Sequence, residues 1–235
     1  PLRDVIACHC TQCRRTSGHY WAATSVPLER FELTCDVGLA WFRSSESAER
    51  GFCSHCGASL FWRPEGEGRM GFSPAALDDD PPIRLTQHIY TEDAGDYYVP
   101  EGPPPAPVAG VQTLDCACLC GAVHFTLPGP AGPVTACHCR QCRKLSGHYS
   151  ASFDADEARV QWLGRGSLAT YATPGGGQRG FCNRCGSSLY FRSAKGEFSV
   201  EAGAVTGPTG GSLSEHIFAA AKAAYYEIDD GLIQS

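Results

Sequence analysis

The sequence predicts a mainly β fold with little helix, built from two tandem copies of one small domain. The first observation behind this prediction is an internal repeat: five cysteines recur at a constant offset of 129 positions, as from Cys8 to Cys137. They are Cys8, Cys10, Cys13, Cys53 and Cys56, repeated as Cys137, Cys139, Cys142, Cys182 and Cys185. A repeat of this length indicates a duplicated domain, so each copy should carry its own site.

The second observation is the density of strand signals between glycines and prolines. In segment 122–127, apolar Val123 and Phe125 alternate with polar residues, which is the period of a half-buried strand. We predict strands over 31–33, 59–62, 122–127, 160–163 and 188–191. A short helix is predicted after each cysteine triplet, over 14–16 and 143–145, and Gly18 and Gly147 should end these helices.

The chain divides at a proline-rich segment. Residues 100–107 contain five prolines, and proline at this density favours extended, semi-rigid conformations. We therefore predict a first domain over 1–98, a linker over 99–112 and a second domain over 113–235. The 235 residues suffice for two domains of about 100 residues each.

Charge and hydropathy argue against two classes of partner. The net charge is −6 at pH 7, which offers no basic surface for nucleic acid. No apolar run reaches the roughly 18 residues of a membrane helix, and no secretory signal opens the sequence. We therefore expect a cytoplasmic protein that binds neither nucleic acid nor membranes, and small polar or anionic molecules remain as ligands.

Fourteen cysteines are the unusual feature of the composition. Their CysXCys and CysXXCys spacings are too short for a convincing disulfide framework, but they allow several thiolates to converge on one ion. This spacing favours zinc sites in a reducing compartment over disulfide bonds.

One group of cysteines in the second copy has the composition of a closed zinc site. Cys118 and Cys120 are two residues apart, and in an extended strand such side chains point the same way. Cys182 and Cys185 form a CysXXCysGly turn, whose glycine allows the positive φ of a tight knuckle. Four thiolates at about 2.3 Å would complete a tetrahedral structural zinc whose binding stabilises the fold.

The triplets form a second kind of group: Cys8, Cys10, Cys13 in the first copy and Cys137, Cys139, Cys142 in the second. Each supplies three ligands within six residues and has no fourth cysteine nearby, which leaves one coordination position open. Zinc held in this way could bind the thiolate of a substrate, which could then attack an electrophilic carbon such as that of an aldehyde. The alternative is that another residue closes each triad and that every zinc is structural.

Neighbouring polar residues are candidates for supporting roles. His9 and His138 lie between two ligands and should point away from the ion. His19 and His148 could shuttle protons near the open position, or could be surface or core histidines. The basic residues after each triad could hold a carboxylate of an incoming thiol or form a solvated helix face; they are Arg14, Arg15, Arg143 and Lys144.

These motifs are similar to those of the glutathione-dependent formaldehyde-activating enzyme family, which includes centromere protein V. The family pattern is CysXCysGly, then CysHisCysXXCysArg followed by SerGly, then PheCysXXCysGlySerXLeu. The second copy matches it at 118–121, 137–143, 146–147 and 181–189, and the resemblance covers essentially the whole chain, twice. It implies a β-tent fold, a structural zinc on the outer cysteine pairs, and a triad zinc tied to glutathione chemistry.

The same resemblance implies an activity. The reaction that gives the family its name joins glutathione to formaldehyde and forms S-hydroxymethylglutathione. The enzymes that catalyse it, S-hydroxymethylglutathione synthases, are classed as carbon–sulfur lyases. The triad cysteines would then be catalytic, and Arg14, His19, Arg143 and His148 would be candidates for contact with the substrate thiol or aldehyde. A non-catalytic zinc module that mediates protein contacts is the alternative.

The first copy departs from the family pattern. The counterparts of Cys118 and Cys120 would fall before Pro1, so Cys53 and Cys56 lack partners for their zinc. We expect the natural chain to begin earlier and to supply the missing pair, with Cys35 and Cys116 as less favoured substitutes. Cys35 is otherwise expected to be a small buried residue.

Overall fold

The computed structural model describes residues 1–235 and confirms the mainly β prediction, with eighteen strands and two α-helices. The first half contains β1 (Val5–Cys8), α1 (Thr11–Ser17), β2 (Trp21–Pro27), β3 (Leu39–Ser45), β4 (Ala48–Cys53), β5 (Ser59–Pro64), β6 (Arg69–Phe72) and β7 (Leu85–Ile89). The second contains β8 (Thr113–Ala117), β9 (His124–Pro128), β10 (Pro133–Cys137), α2 (Arg140–Ser146), β11 (Ser150–Asp154), β12 (Gln161–Gly164), β13 (Leu168–Ala172), β14 (Gln178–Cys182), β15 (Ser188–Arg192), β16 (Phe198–Glu201), β17 (Ser212–Ile217) and β18 (Ile233–Gln234). Six single-turn 3-10 helices lie between them, at Leu28–Arg30, Pro74–Ala76, Thr91–Asp93, Glu157–Arg159, Ala202–Ala204 and Ala219–Ala221.

Each half forms its own main sheet, and the two sheets have the same strand order except for the additional strand β18 in the second. The strand order is β3-β4-β5-β6-β2-β1-β7 in the first and β13-β14-β15-β16-β11-β10-β17-β18 in the second. Within these two sheets the strands pair antiparallel, except that β1 is parallel to β7, β10 to β17 and β17 to β18. The strand that ends in the first triad cysteine therefore has the same neighbours in each half.

A third sheet, of order β12-β9-β8, is built entirely from the second half. Residues 31–33 correspond in the repeat to 160–162, where β12 forms by pairing with β9. The residues that would correspond to β9 fall before Pro1, and none of the described strands pairs with residues 31–33, which are irregular. The prediction of a strand over 31–33 was therefore wrong, whereas the other four predicted strands are confirmed as β5, β9, β12 and β15.

Each α-helix begins next to the middle cysteine of a triad and ends at a glycine. Cys10 and Cys139 are the N-cap residues, and Gly18 and Gly147 close the helices in the left-handed conformation with φ of 88° and 87°. These helix ends confirm the prediction. Neither helix has the length and apolar character that crossing a bilayer requires.

Equivalent residues of the two halves make reciprocal contacts. Leu85 N donates to Tyr225 O at 2.7 Å, and Leu213 N donates to Tyr97 O at 2.8 Å. Such exchange between equivalent positions is the mark of an isologous, two-fold interface, which here lies within one chain. The proline-rich segment 99–112 contains neither helix nor strand and touches the second half, where Ser212 Oγ donates to Pro105 O at 2.9 Å. We propose that it links domains 1–98 and 113–235.

Replacing Gly147 by alanine should weaken the packing between the halves. An L residue at its φ of 87° costs about 1–2 kcal/mol, and a Cβ there would overlap Trp21 Nε1 of the other half. We expect Gly147→Ala to lower the free energy of unfolding in urea by about 2–4 kcal/mol. Gly196→Ala is the control, because its φ is 89° but its Cβ position is open. Equal losses in the two variants would contradict the packing contact.

Candidate metal centres

Four cysteine sulfurs of the second half converge at the C-terminal ends of strands β8 and β14. The Sγ atoms of Cys118, Cys120, Cys182 and Cys185 all lie within 4.8 Å of one another. The Sγ–Sγ distance is 3.5 Å between Cys118 and Cys120 and 3.7 Å between Cys120 and Cys182. Thiolates on a tetrahedral zinc are separated by about 3.8 Å, so this donor set fits a closed four-sulfur site.

The geometry of the first pair differs from the prediction. Strand β8 ends at Ala117, and Cys118 opens a turn in which Gly121 N donates to Cys118 O at 3.1 Å. Gly121 has a φ of 73°. The expectation that strand alternation aligns Cys118 and Cys120 was therefore wrong, because a glycine-containing turn brings them together. A turn with a positive-φ glycine was predicted correctly for the pair Cys182 and Cys185, where Gly186 has a φ of 75°.

The three sulfurs of each triad also converge within 4.8 Å of one another. The first cysteine ends β1 or β10, the middle one caps the helix, and the third lies in the first helical turn. No histidine or carboxylate joins either group. Each donor set therefore fits an ion with three protein ligands and one open position.

The middle cysteine of each triad is favoured as a thiolate. Hydrogen bonds from Cys13 and then Cys8 lower the pKa of Cys10 far below its usual value. Those from Cys137 and Cys142 lower the pKa of Cys139 in the same way. The position at a helix N-terminus acts in the same direction, and the thiolate is the form that binds metal ions.

An arginine that the sequence analysis did not select contacts each triad. Arg50 Nη2 donates to Cys13 Sγ at 3.4 Å, and Arg179 Nη2 donates to Cys142 Sγ at 3.1 Å. Both arginines are buried, so their charges act on the thiolates with little screening. The available signal was the repeated ArgGlyPheCys at 50–53 and 179–182.

A cavity of about 630 Å³ lies in front of the first triad. Its walls include all three triad cysteines, Arg50 and the aromatic side chains of Trp21, Trp62 and Tyr90. Tyr90 has a φ of 55°, which is strained for a bulky residue. Strain of this kind clusters at functional sites, and the cavity gives a small molecule access to the first triad.

A family comparison matches both halves. The family model described as "Glutathione-dependent formaldehyde-activating enzyme" matches residues 1–93 and again residues 113–221. These two segments cover most of the chain, once per copy. The chain belongs to the glutathione-dependent formaldehyde-activating enzyme family. The resemblance inferred from the cysteine motifs, including the two tandem copies, is thereby confirmed.

Two curated relatives resemble part of this family member. A Halomonas elongata protein, provisionally named as a glutathione-dependent formaldehyde-activating enzyme, is 35% identical over 85 residues, which are 33% of this chain and 54% of the relative. An uncharacterized lyase of Schizosaccharomyces pombe is 28% identical over 80 residues, which are 34% of this chain and 58% of the relative. The chain thus matches somewhat more than half the length of each relative.

In this formaldehyde-activating family member, the histidines beside the triads lie in the core. His9 Nδ1 is 2.8 Å from Tyr98 OH, and His9 Nε2 is 2.8 Å from His88 Nδ1. His138 makes the matching contacts with Tyr226 and His216. Both rings thus bond to partners other than the triad sulfurs, which agrees with the expectation that they point away from the ion.

His19 and His148 lie in the same core. His19 Nδ1 is 2.8 Å from Tyr97 OH, and His148 Nδ1 is 2.6 Å from Tyr225 OH. Both are fully buried, and neither lines the cavity in front of the first triad. This placement favours a core role, one of the alternatives that the sequence left open, over proton transfer to a substrate.

The basic residues after the triads also lie outside that cavity. Lys144 Nζ donates to Asp78 Oδ1 of the other half at 2.7 Å. The Nε atoms of Arg14, Arg15 and Arg143 are buried without a hydrogen-bond partner. None of the four is therefore placed to hold a carboxylate in the first cavity.

Cys53 and Cys56 join no group of three or more metal-type ligands. Cys116 is buried in the core, and Cys35 is exposed, so neither completes a site with them. The expectation that Cys35 is buried was wrong. Its counterpart Gly164 lies in β12 and pairs with His124, whose own counterpart falls before Pro1.

Acid should destabilise the fold through the core histidines. Burial lowers the pKa of His19 and His148 well below 6.5, so they stay neutral when folded but gain protons when unfolded. The stability they contribute is present above about pH 6.5 and is lost below it, by about 1.4 kcal/mol per pH unit for each histidine. His148→Gln should flatten the pH dependence of the unfolding free energy between about pH 6.5 and 5. Parallel curves for wild type and His148→Gln would contradict this origin.

Proposed function

We propose that this chain is a zinc-dependent carbon–sulfur lyase-type enzyme that joins a substrate thiol, glutathione or a related one, to an aldehyde such as formaldehyde. The observation that carries the proposal is a set of three converging cysteine sulfurs without a fourth protein ligand. In the first copy this set faces a cavity of about 630 Å³. Membership of the family and the lyase name of the yeast relative support the reaction class.

The chain's own residues have separable roles in this proposal. The zinc ligands at the reaction sites would be Cys8, Cys10, Cys13 and Cys137, Cys139, Cys142. Bound zinc supplies a positive centre that favours the thiolate form of a substrate thiol. The arginine beside each triad offsets the negative charge of the sulfurs. The four-cysteine cluster of the second copy would hold a structural zinc that ties β8 to β14.

The proposed reaction balances without an oxidant or reductant. The thiol loses its proton, its sulfur bonds to the carbonyl carbon, the carbonyl π bond breaks, and the resulting oxyanion takes up a proton. With formaldehyde, the product is the S-hydroxymethyl adduct of the thiol, a hemithioacetal. The fourteen cysteines are all free thiols in the structure, which fits the proposal of a reducing, cytoplasmic location.

The test is the rate at which glutathione and formaldehyde combine, measured by NMR exchange spectroscopy. We expect the zinc-loaded full chain to accelerate this reaction above its spontaneous rate. Removal of zinc by a chelator should abolish the acceleration, and zinc addition should restore it. A rate equal to the spontaneous one would contradict the enzyme assignment and favour the zinc module that mediates protein contacts.

A further inference from the structure

The two triads share their cysteines and their arginine, but the surroundings of the arginine differ. In the second copy, Arg179 Nη1 lies 3.7 Å from Glu201 Oε1, and Glu201 is 2% exposed. Ser150 Oγ donates to Glu201 Oε2 at 2.7 Å. This carboxyl group occupies one side of the guanidinium, and it is fixed there by the serine.

The first copy replaces this arrangement with uncharged residues. By strand register, Ser73 stands where the second copy has Glu201, and its hydroxyl donates to Gly147 O. Trp21 stands where the second copy has Ser150. Arg50 therefore forms no salt bridge, and its side-chain hydrogen bonds go to Cys13 Sγ at 3.4 Å and Gln12 Oε1 at 3.5 Å.

The cavity at the first triad adds charges of both signs. Arg50 and Arg3 line it together with Glu67 and Asp93, and the indole rings of Trp21 and Trp62 supply apolar walls. Its volume of about 630 Å³ lies within the roughly 300–1,000 Å³ of cavities that bind small molecules. Cations and anions around an apolar wall suit a zwitterionic ligand of peptide size.

We propose that the two triads are not equivalent: the first binds a zwitterionic thiol whose carboxylate is held by Arg50, and the second, whose arginine is already paired with Glu201, does not. This inference rests on the proposed function and names the copy and the residue that select the thiol. Arg50 is a specificity-determining residue because a guanidinium holds a carboxylate through charge-assisted hydrogen bonds. The same contact on Arg179 would require displacing a buried carboxyl group.

Calorimetric titration of the zinc-loaded full chain with S-methylglutathione tests the inference without turnover. This probe keeps the carboxylates and the ammonium group of glutathione, but its blocked sulfur cannot act as a thiolate. We expect one molecule bound per chain. Arg50→Gln should weaken binding at least about tenfold, whereas the matched Arg179→Gln should change it less than about twofold. Zinc content and circular dichroism establish that each variant is folded.

A second variant keeps the test decisive if Arg50→Gln fails to fold. Arg3 is exposed at the cavity wall, and Arg3→Gln should weaken S-methylglutathione binding about three- to tenfold. Two molecules bound per chain, or equal effects of Arg50→Gln and Arg179→Gln, would overturn the inference while leaving the proposed function intact. The proposed function itself fails if glutathione produces no NMR rate acceleration, whatever the S-methylglutathione titration shows.

Discussion

Replacing Cys185 by serine is expected to unfold the second copy. Cys185 is 1% exposed, and its sulfur belongs to the four-cysteine cluster. A structural zinc contributes about 10–16 kcal/mol of binding free energy to small zinc-folded units, which is comparable to the whole stability of about 5–15 kcal/mol of a typical domain. Loss of one thiolate should therefore remove about one equivalent of zinc per chain and abolish the cooperative thermal transition of that half.

The first copy provides a matched control for this prediction. Cys56 occupies the position of Cys185 in the repeat, but it joins no group of three or more ligands. In a chain of these 235 residues, Cys56→Ser should therefore cost little stability, and the exposed Cys35→Ser should cost none that thermal unfolding can detect. Unchanged zinc content and melting temperature in Cys185→Ser would show that the cluster does not hold a structural metal.

Replacing Cys10 by serine is expected to give the largest loss of activity. Cys10 caps helix α1, and hydrogen bonds from Cys13 and Cys8 lower its pKa, whereas the pKa values of Cys8 and Cys13 are raised. Loss of contacts around metal ligands typically costs 10–100-fold in metal affinity or activity, so loss of a ligand should cost at least about 100-fold in the NMR-measured rate acceleration.

The equivalent substitution in the second copy measures how much of the rate acceleration each triad contributes. Cys139→Ser should remove an equivalent of zinc just as Cys10→Ser does, but it should lower the rate acceleration less, because Arg179 is paired with Glu201. Cys35→Ser serves as the unreactive control. A Cys10→Ser protein that keeps full acceleration would exclude the first triad as the reaction site.

Features that depend on local spacing could be predicted from the sequence. The repeat, the three ligand groups and the helices that end at Gly18 and Gly147 all follow from residues close together in the chain. The turn at Cys118 was missed because the pattern CysXCys is compatible with both a strand and a turn. Segment 31–33 is not a strand because its counterpart pairs with β9, and the residues that would correspond to β9 fall before Pro1.

Features that depend on packing between the halves could not be predicted. His19 and His148 follow the triads closely in sequence, yet the pseudo-two-fold contact buries them among tyrosines, with His148 Nε2 3.0 Å from Tyr20 OH of the other half. Arg50 is 37 residues from Cys13 and reaches its sulfur only through the sheet. The difference between Ser73 and Glu201 was visible in the repeat, but its meaning required the position of Arg179.

The most direct test of the central claim is the coordination of zinc in the full chain, measured by zinc-edge X-ray absorption with and without glutathione. The claim is that the triads hold zinc through three cysteines and keep one position for a substrate thiol. We predict that the zinc-loaded protein shows a light-atom ligand near about 2.0 Å beside sulfur at about 2.3 Å, and that glutathione replaces part of the light-atom signal with sulfur. A ligand shell that glutathione leaves unchanged would contradict the claim.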